Sequence, residues 1–329
     1  MAVLELLTIK IQQMTIESTN DNTPTAPAIT YSECYQQCFC SDNLELMKTI
    51  ESNTIDLIYC DILYGTGKNF GDYQDLKPIR SEIENHYIPR IKEMHRILKQ
   101  TGSIFLQMDC KINHWIRCIL DDIFGYDNFR NEIVWKRGTV KGAKAKGNQF
   151  ARNHDVIFYF SKSNEYIFNR LYLPFSAEYI KRFNKDDNDG KGPYRDDQAI
   201  GTRSETSIKE MIDVNKIIVN QDGSLKIKTY LNELEGVVID DNWIDISEVN
   251  VMSNQRTDYP TQKPKSLIER IIKASSNEGD LVADFYMGSG TTAEVCKDLN
   301  RNFIGCDINP RAVEITLQRL NDARSRHCW

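Results

Sequence analysis

No run of apolar residues in this 329-residue chain approaches the ~18 that a membrane-crossing helix needs, so no membrane partner is expected. The first residues, MAVLELLTIKIQQM, lack a basic start and a small-residue cleavage site. No signal peptide is therefore expected, and a cytoplasmic setting is. Positive charge is in the minority, with 41 Lys and Arg against 47 Asp and Glu and a net charge of −6. That balance disfavours a wholly basic nucleic-acid surface but leaves room for a local basic patch. The nine cysteines include no C-x-x-C pair, and Cys34, Cys38 and Cys40 have no matching His/Cys cluster. They read as small buried apolar residues in a reducing compartment, not as disulfides or a metal site. Internal repeats are absent too.

The rest is the composition of a soluble protein, 40% hydrophobic and 27% charged, long enough to bury a sizeable core. Residues 1–28, which lie outside the residues described below, are expected to form a flexible tail, with STNDNTPT (18–25) rich in turn formers. Strand and helix patterns then alternate. TIDLIYCD (54–61) and SIFLQMD (103–109) are continuous apolar runs ending in an acid, as buried parallel strands read. Between them, SEIENHYIPRIKEMHRILKQTG (81–102) repeats apolar residues at helical spacing, with Gly102 placed as its C-terminal cap. WIRCILDDIF (115–124) is a further helix. The pattern returns near the end: SLIERIIKASS (266–276), DLVADF (280–285), GTTAEVCKDLN (290–300), RNFIGCDI (301–308) and a last helix from Pro310. The expected fold is α/β, Rossmann-like, with a mostly parallel central sheet. An insertion is expected at 138–247, flanked by core halves at 29–137 and 248–329.

Asp284 ends a strand, and Gly288-Ser289-Gly290 opens the next helix, a turn in which backbone can approach a ligand closely. The next strand ends in Asp307, 19 residues after Gly288, where an acid accepts hydrogen bonds from ribose hydroxyls. Three ligands compete. Gly288-x-Gly290-x-x-Ala293 matches a dinucleotide fingerprint, so an NAD-dependent oxidoreductase is one alternative. ATP on a P-loop is disfavoured because no Gly-Lys-Ser/Thr follows. S-adenosylmethionine has a ribose but no phosphates, and Asp284 suits its cationic end.

Earlier in the chain, DILYGTGKNFGDYQD (61–75) sets an acid and a tyrosine three residues apart at a strand end. Asp61, read alone, could simply cap a turn. With NEIVWKR (131–137), WIDISEVN (243–250), YPTQKPKSLIERIIKASSNEGD (259–280) and DFYMGSGTT (284–292), however, the chain resembles an amino-methylating DNA methyltransferase of the β-type, permuted motif order. That is the S-adenosylmethionine-dependent adenine-N6/cytosine-N4 family of restriction-modification systems. The resemblance spans about residues 34–320. It implies a catalytic motif first, a target-recognition region next and the cofactor glycines last.

Carried onto this sequence, the resemblance implies that Asp61 and the Ile62 carbonyl accept the two N–H bonds of the target amino group. Tyr64, with Phe70, stacks on a flipped base. The cofactor is held by Asp42, Lys263, Pro264, Asp284, Phe285, Gly288, Ser289, Gly290, Thr291, Thr292, Asp307 and Ile308. An aspartate heading the motif resembles the adenine-N6 enzymes, with cytosine-N4 the alternative within the class. The acid-free run 136–152 holds six basic residues, Lys136, Arg137, Lys141, Lys144, Lys146 and Arg152, read as phosphate contacts on double-stranded DNA. The length fits a stand-alone modification enzyme, solitary or paired with a separate restriction endonuclease, monomeric or homodimeric.

Two departures stand out. The family's Asp-Pro-Pro-Tyr is Asp61-Ile62-Leu63-Tyr64 here, and its Asp-Pro-Phe is Asp284-Phe285-Tyr286. Proline stiffens a turn, and Ile62 regains an N–H that needs a partner if buried. A catalytically impaired DNA-binding homologue is the alternative these changes raise.

Overall fold

The computed structural model describes residues 36–71, 73–140, 148–250, 255–257 and 259–326. The chain divides into two compact units, one comprising residues up to Asn169 together with those from Asp240 onward, the other Arg170–Ile239.

The first unit begins with β1 (Gln36–Cys40), α1 (Asn43–Thr49), β2 (Ile55–Asp61), α2 (Arg80–Ile97), β3 (Leu98–Asp109), α3 (Asn113–Phe124), β4 (Phe129–Lys136) and β5 (His154–Ser161). The second unit carries β6 (Tyr172–Leu173), α4 (Ala177–Ile180), β7 (Tyr194–Ala199), α5 (Glu205–Asp213), β8 (Ile217–Val219), β9 (Leu225–Tyr230) and β10 (Val237–Val238). The chain then completes the first unit with β11 (Asn242–Trp243), α6 (Lys265–Ser275), β12 (Leu281–Asp284), α7 (Thr291–Asp298), β13 (Asn302–Asp307) and α8 (Pro310–Arg326).

One eight-stranded sheet organises the first unit, in the order β1-β13-β12-β2-β3-β5-β4-β11. All its pairings are parallel except those of β5, which runs antiparallel to both β3 and β4. This is the α/β, mostly parallel sheet that the alternating pattern implied. β2 is buried along its length because β12 and β3 flank it, which is why it reads as an unbroken apolar run. On β3, Ile104, Leu106 and Met108 enter one core with Ile83, Tyr87, Ile91 and Met94 of α2 and with α3. The side chains between them point to the opposite face.

Two expectations change. Helix α2 ends at Ile97, not at Gly102. Leu98 is already extended and pairs with Ile55, so tertiary pairing overrides the helical periodicity. Gly102 lies within β3, where a Cβ would come within 2.9 Å of the Asp56 carbonyl and 2.8 Å of the Leu98 side chain. It serves close strand packing, not a cap. The run HDVIFYFS, inside the expected insertion 138–247, is β5, an inner strand of the core sheet. The separate unit is accordingly narrower, Arg170–Ile239.

That unit has a three-stranded antiparallel sheet, β7-β9-β8, and a β6/β10 pair. Its core is small, formed by Phe183, Tyr194, Ile227 and Tyr230. Lys228, also buried, is neutralised by Asp187, which accepts from Tyr194 as well. Several acids of the segment 184–197 are thus paired inside the unit. Among the described residues, no helix is long and apolar enough to cross a membrane.

Candidate active site

β2 and β12 lie side by side, with Ile58 opposite Ala283, so their C-terminal acids Asp61 and Asp284 emerge at the same edge of the sheet. Ligands bind at this edge in open α/β sheets.

After Asp61 the backbone is tied down by hydrogen bonds where the family carries prolines. The Ile62 N–H donates to the Gln107 carbonyl at 3.0 Å, a bond proline could not make. The Tyr87 hydroxyl donates to the Leu63 carbonyl at 3.0 Å. Gly65 turns the chain at φ +64, and Asp75 accepts from the amides of Gly65 and Thr66 at 3.1 and 2.7 Å. On the other loop, the Phe285 N–H points at Cys60 Sγ, 3.4 Å away, while Asn43 Nδ2 holds the Phe285 carbonyl at 3.0 Å. Ile62 and Phe285 are both buried in the core. Removing one anchor should show. Tyr87→Phe leaves the Leu63 carbonyl without that donor and is expected to lower unfolding free energy by about 1 kcal/mol, read as a reduced urea midpoint with unchanged slope.

Both oxygens of Asp61 are engaged. Oδ1 accepts from the Tyr64 hydroxyl at 2.8 Å, and Oδ2 pairs with Lys263 Nζ. Lys263 is buried, donates also to the Thr261 carbonyl at 3.3 Å, and lies 5.3 Å from the Tyr64 ring centroid. Desolvation pushes the Asp61 carboxyl above its usual range, and the Lys263 ammonium opposes that. Behind Tyr64 is a second carboxylate, Asp155 of β5, fully buried. Asp155 Oδ2 lies 2.8 Å from the Tyr64 hydroxyl and accepts from Gln107 Nε2 at 2.9 Å. Gln107 Oε1 accepts in turn from Tyr59 at 2.8 Å.

The glycine turn needs its glycines. Gly288 has φ +51, and a Cβ there would stand 3.3 Å from the Tyr259 ring. Gly290, the N-cap of α7, has φ +73, and a Cβ would collide with the Thr316 side chain. Asp284 sits beneath the turn. It accepts from the Tyr286 N–H at 3.0 Å and from Thr292 Oγ1 at 2.6 Å. Asp307 accepts from the amides of Gly288 and Asn309, each at 2.9 Å. Asp42 caps α1, receiving the Leu44 amide at 2.8 Å, and pairs with Arg90 at 2.8 Å.

Burial raises the Asp284 carboxyl to about 7. Because the folded state holds this proton more tightly than the unfolded chain, the group's contribution is present below about pH 4 and is lost as pH rises through about 7. The stability difference between the wild type and Asp284→Asn is therefore expected to shrink, or change sign, between pH 4 and 7.5. Paired urea titrations check it.

A cavity of about 430 Å³ opens here, lined by Asp42, Asp61, Ile62, Tyr64, Phe70, Phe285, Gly288, Asp307 and Ile308 among others. It brings together the early motif and the late glycine turn. Lys263, Asp284, Ser289, Thr291 and Thr292 border a smaller adjoining crevice of about 40 Å³, which Asp61 and Gly288 share. Pro264 and Gly290 line neither; they sit at the N-terminal boundaries of α6 and α7. Residues not anticipated in the cavity wall include Tyr73, stacked on Phe70 with ring centroids 5.0 Å apart, and Arg90 and His86 of α2. Their only sequence signal is proximity to the early motif.

The basic run is less uniform than its composition. Lys136 and Arg152 are exposed. Arg137 turns inward, with Nη1 3.4 Å from Asp155 Oδ1. Lys141, Lys144 and Lys146 lie outside the described residues.

The family model described as DNA methylase, of the N6/N4 group, matches residues 55–318. The chain belongs to the N6/N4 DNA methylase family. This methylase is 31% identical over 286 residues to the type II methyltransferase M.HpaI of Haemophilus parainfluenzae, covering 87% of this chain and 74% of that one. It is 27% identical over 287 residues to the DNA adenine methyltransferase YhdJ of Escherichia coli, covering 86% and 81%. Among solved structures, the PvuII DNA methyltransferase, named as cytosine-N4-specific, superposes with a TM-score of 0.54 at 15% identity, covering 87% of this methylase and 86% of that chain. That likeness is one of fold. As a member of its family, the methylase acts on DNA and takes its methyl group from S-adenosylmethionine. The residues present fit that donor: a cavity of about 430 Å³ is large enough, and the backbone at Gly288 is bare of side chain where it lines the wall.

Proposed function

We propose that the methylase is a site-specific DNA (adenine-N6)-methyltransferase that acts on a base flipped from duplex DNA. The observation that carries this reading is the single cavity shared by Asp61, Ile62 and Tyr64 on one side and Gly288, Asp307 and Ile308 on the other. A base and the donor would meet there.

S-adenosylmethionine, when bound, supplies a methyl group on a sulfonium that leaves with its electron pair. The exocyclic amino group is a poor nucleophile because its lone pair is delocalised into the ring. Asp61 and the Ile62 carbonyl accept its two N–H bonds and localise that lone pair. A carboxylate has about four acceptor directions. Lys263 holds Oδ2 and the Tyr64 hydroxyl lies on Oδ1, the oxygen that faces the substrate N–H. The nitrogen then bonds to the methyl carbon as the carbon–sulfur bond breaks, and the surplus nitrogen proton leaves toward Asp61. Placement and electrostatics do the catalysis. Tyr64 stacks on the flipped base and Phe70, with Tyr73, extends that wall. Asp42, Asp307 and Ile308 hold the adenosine part, with Asp307 on the ribose. Asp284, Phe285, Lys263, Pro264 and residues 288–292 shape the methionine end, and Asp284 acts by holding the glycine turn.

Adenine is favoured over cytosine by the aspartate at position 61 and by the name of the YhdJ relative. Cytosine-N4 is the second reading, because the matched family takes in N6 and N4 enzymes alike. Lys136 and Arg152, with Lys141, Lys144 and Lys146, contact phosphates; Arg137 is withdrawn from that set by its pairing with Asp155. Residues 170–239 read the sequence. A separate endonuclease of matching specificity is the expected functional partner.

Mass spectrometry of nucleosides tests the reading, using plasmid from a methylation-deficient host that expresses the chain. N6-methyladenine in the wild type, absent with Asp61→Ala, supports it. N4-methylcytosine overturns the choice of base, and no methylated base overturns the activity.

A further inference from the structure

The Tyr64 hydroxyl stands 2.8 Å from Asp61 Oδ1 and 2.8 Å from Asp155 Oδ2. A phenol has one proton to donate, so it can satisfy only one ionised carboxylate at a time. The buried hydroxyl stays protonated, since desolvation and both neighbouring carboxylates push its pKa well above the usual value.

We propose that Asp155 is a positioning residue, the alternative acceptor that takes the Tyr64 hydroxyl hydrogen when the target amino group claims Asp61 Oδ1. This rests on the methyltransferase reading above. Asp155 never touches the base. It acts through Tyr64, keeping the ring in place and the Asp61 lone pairs free.

Three observations support the assignment. Gln107 is fixed with Oε1 toward Tyr59, so its Nε2 faces Asp155 Oδ2. That oxygen is thereby an acceptor, able to take the Tyr64 hydrogen as well. Arg137 Nη1 lies 3.4 Å from the other oxygen, a positive charge set beside the carboxylate on the side away from Tyr64. Asp155 is also fully buried, and β5 holds it opposite Trp135 of β4 and Asp109 of β3, so the acceptor stays in place. A buried carboxylate without such partners would be strongly unfavourable.

The test is suppression. In Asp155→Asn, the amide oxygen is a weaker acceptor than a carboxylate, so the Tyr64 hydrogen returns to Asp61. The value of kcat is expected to fall about tenfold, the usual difference between charged and neutral hydrogen bonds, with KM for S-adenosylmethionine unchanged. Asp155→Ser draws the acceptor oxygen back beyond reach of the Tyr64 hydroxyl and is expected to cost about 100-fold. Tyr64→Phe keeps the ring but has no hydrogen to misplace, and alone is expected to lose about threefold. Combining it with either Asp155 change should restore kcat to the Tyr64→Phe level. A double variant no faster than the Asp155 variant alone overturns the proposal, as does wild-type kcat in both Asp155 variants. If Asp155→Ser does not fold, the near-isosteric Asn variant decides the matter. Wild-type protein assayed alongside separates the two ideas: inactivity of the wild type sinks the methyltransferase reading itself, whereas an active wild type without suppression sinks only the role of Asp155.

Discussion

Asp61→Ala is expected to reduce methyl transfer at least about 10³-fold while leaving the Kd for S-adenosylmethionine within about threefold. The carboxylate is the one ionised acceptor proposed to touch the amino group, and no neighbouring side chain can replace it. Asp155 lies beyond the Tyr64 hydroxyl and does not line the cavity, and Lys263 has only hydrogens to donate. Single-turnover transfer of labelled methyl to DNA, beside calorimetric titration of the cofactor, checks both halves. The substitution also strands the buried Lys263 ammonium, leaving it the Thr261 carbonyl and the Tyr64 ring but no counter-charge among its described contacts. Breaking a buried pair from one side typically costs about 3–5 kcal/mol, so a lower Tm is expected as well. The double variant Asp61→Ala/Lys263→Met should regain much of that stability and none of the activity. Recovery of activity in the double variant would mean that Asp61 serves only to neutralise Lys263.

Gly290→Ala is expected to weaken S-adenosylmethionine binding by about 100-fold and to lower stability by about 2–4 kcal/mol. Two effects add. At φ +73 an L residue is strained, and the new methyl meets Thr316. Thr316 cannot easily yield, because its hydroxyl donates to the Ala312 carbonyl at 2.9 Å and reaches the Gly288 carbonyl at 3.4 Å. Relief must come from the turn itself, which displaces Gly288 from the cavity wall. Gly288→Ala should be milder in stability, since its new methyl meets a ring edge at 3.3 Å that has only to move a few tenths of an ångström. Thermal melts and cofactor titrations of the two variants, run together, rank them. An unchanged cofactor Kd for Gly290→Ala would remove the turn from the binding site.

What could be read in advance follows from range along the chain. Asp61 with Tyr64, and Gly288 with Asp307, are short strings at the ends of strands whose apolar runs are plain. The sheet was legible for the same reason. The ion pair of Lys263 with Asp61 joins residues 202 apart, and the Tyr64–Asp155 contact joins residues 91 apart. Neither has a local signature. Lys263 stood out as part of YPTQKP, but nothing in that string says which acid it meets. Asp155 is one acid at the start of the run HDVIFYFS, and only the antiparallel register of β5 brings it behind Tyr64. The apolar periodicity of α2 continues past Ile97, while the pairing of Leu98 with Ile55 does not allow the helix to follow. Charge patterning groups Arg137 with its basic neighbours, because it cannot see an inward-facing partner. The missing prolines carried the opposite lesson. Their absence was visible, but the replacement anchors, the Gln107 carbonyl and the Tyr87 hydroxyl, were not.

The order of strands has a consequence for synthesis. β2 lies between β3 and β12, and the Phe285 amide meets the Cys60 sulfur across 225 residues of chain. While a ribosome is still making the middle of the protein, β2 can pair with β3 but has an open apolar edge on its other side. That edge stays unprotected while the chain between β2 and β12 is made, at about 5–20 residues per second. Such a chain is open to wrong strand pairing and slow to close, because its decisive contacts are the most distant ones. The cavity itself has only one wall until β12 and β13 dock, because the glycine turn and Asp307 supply the other.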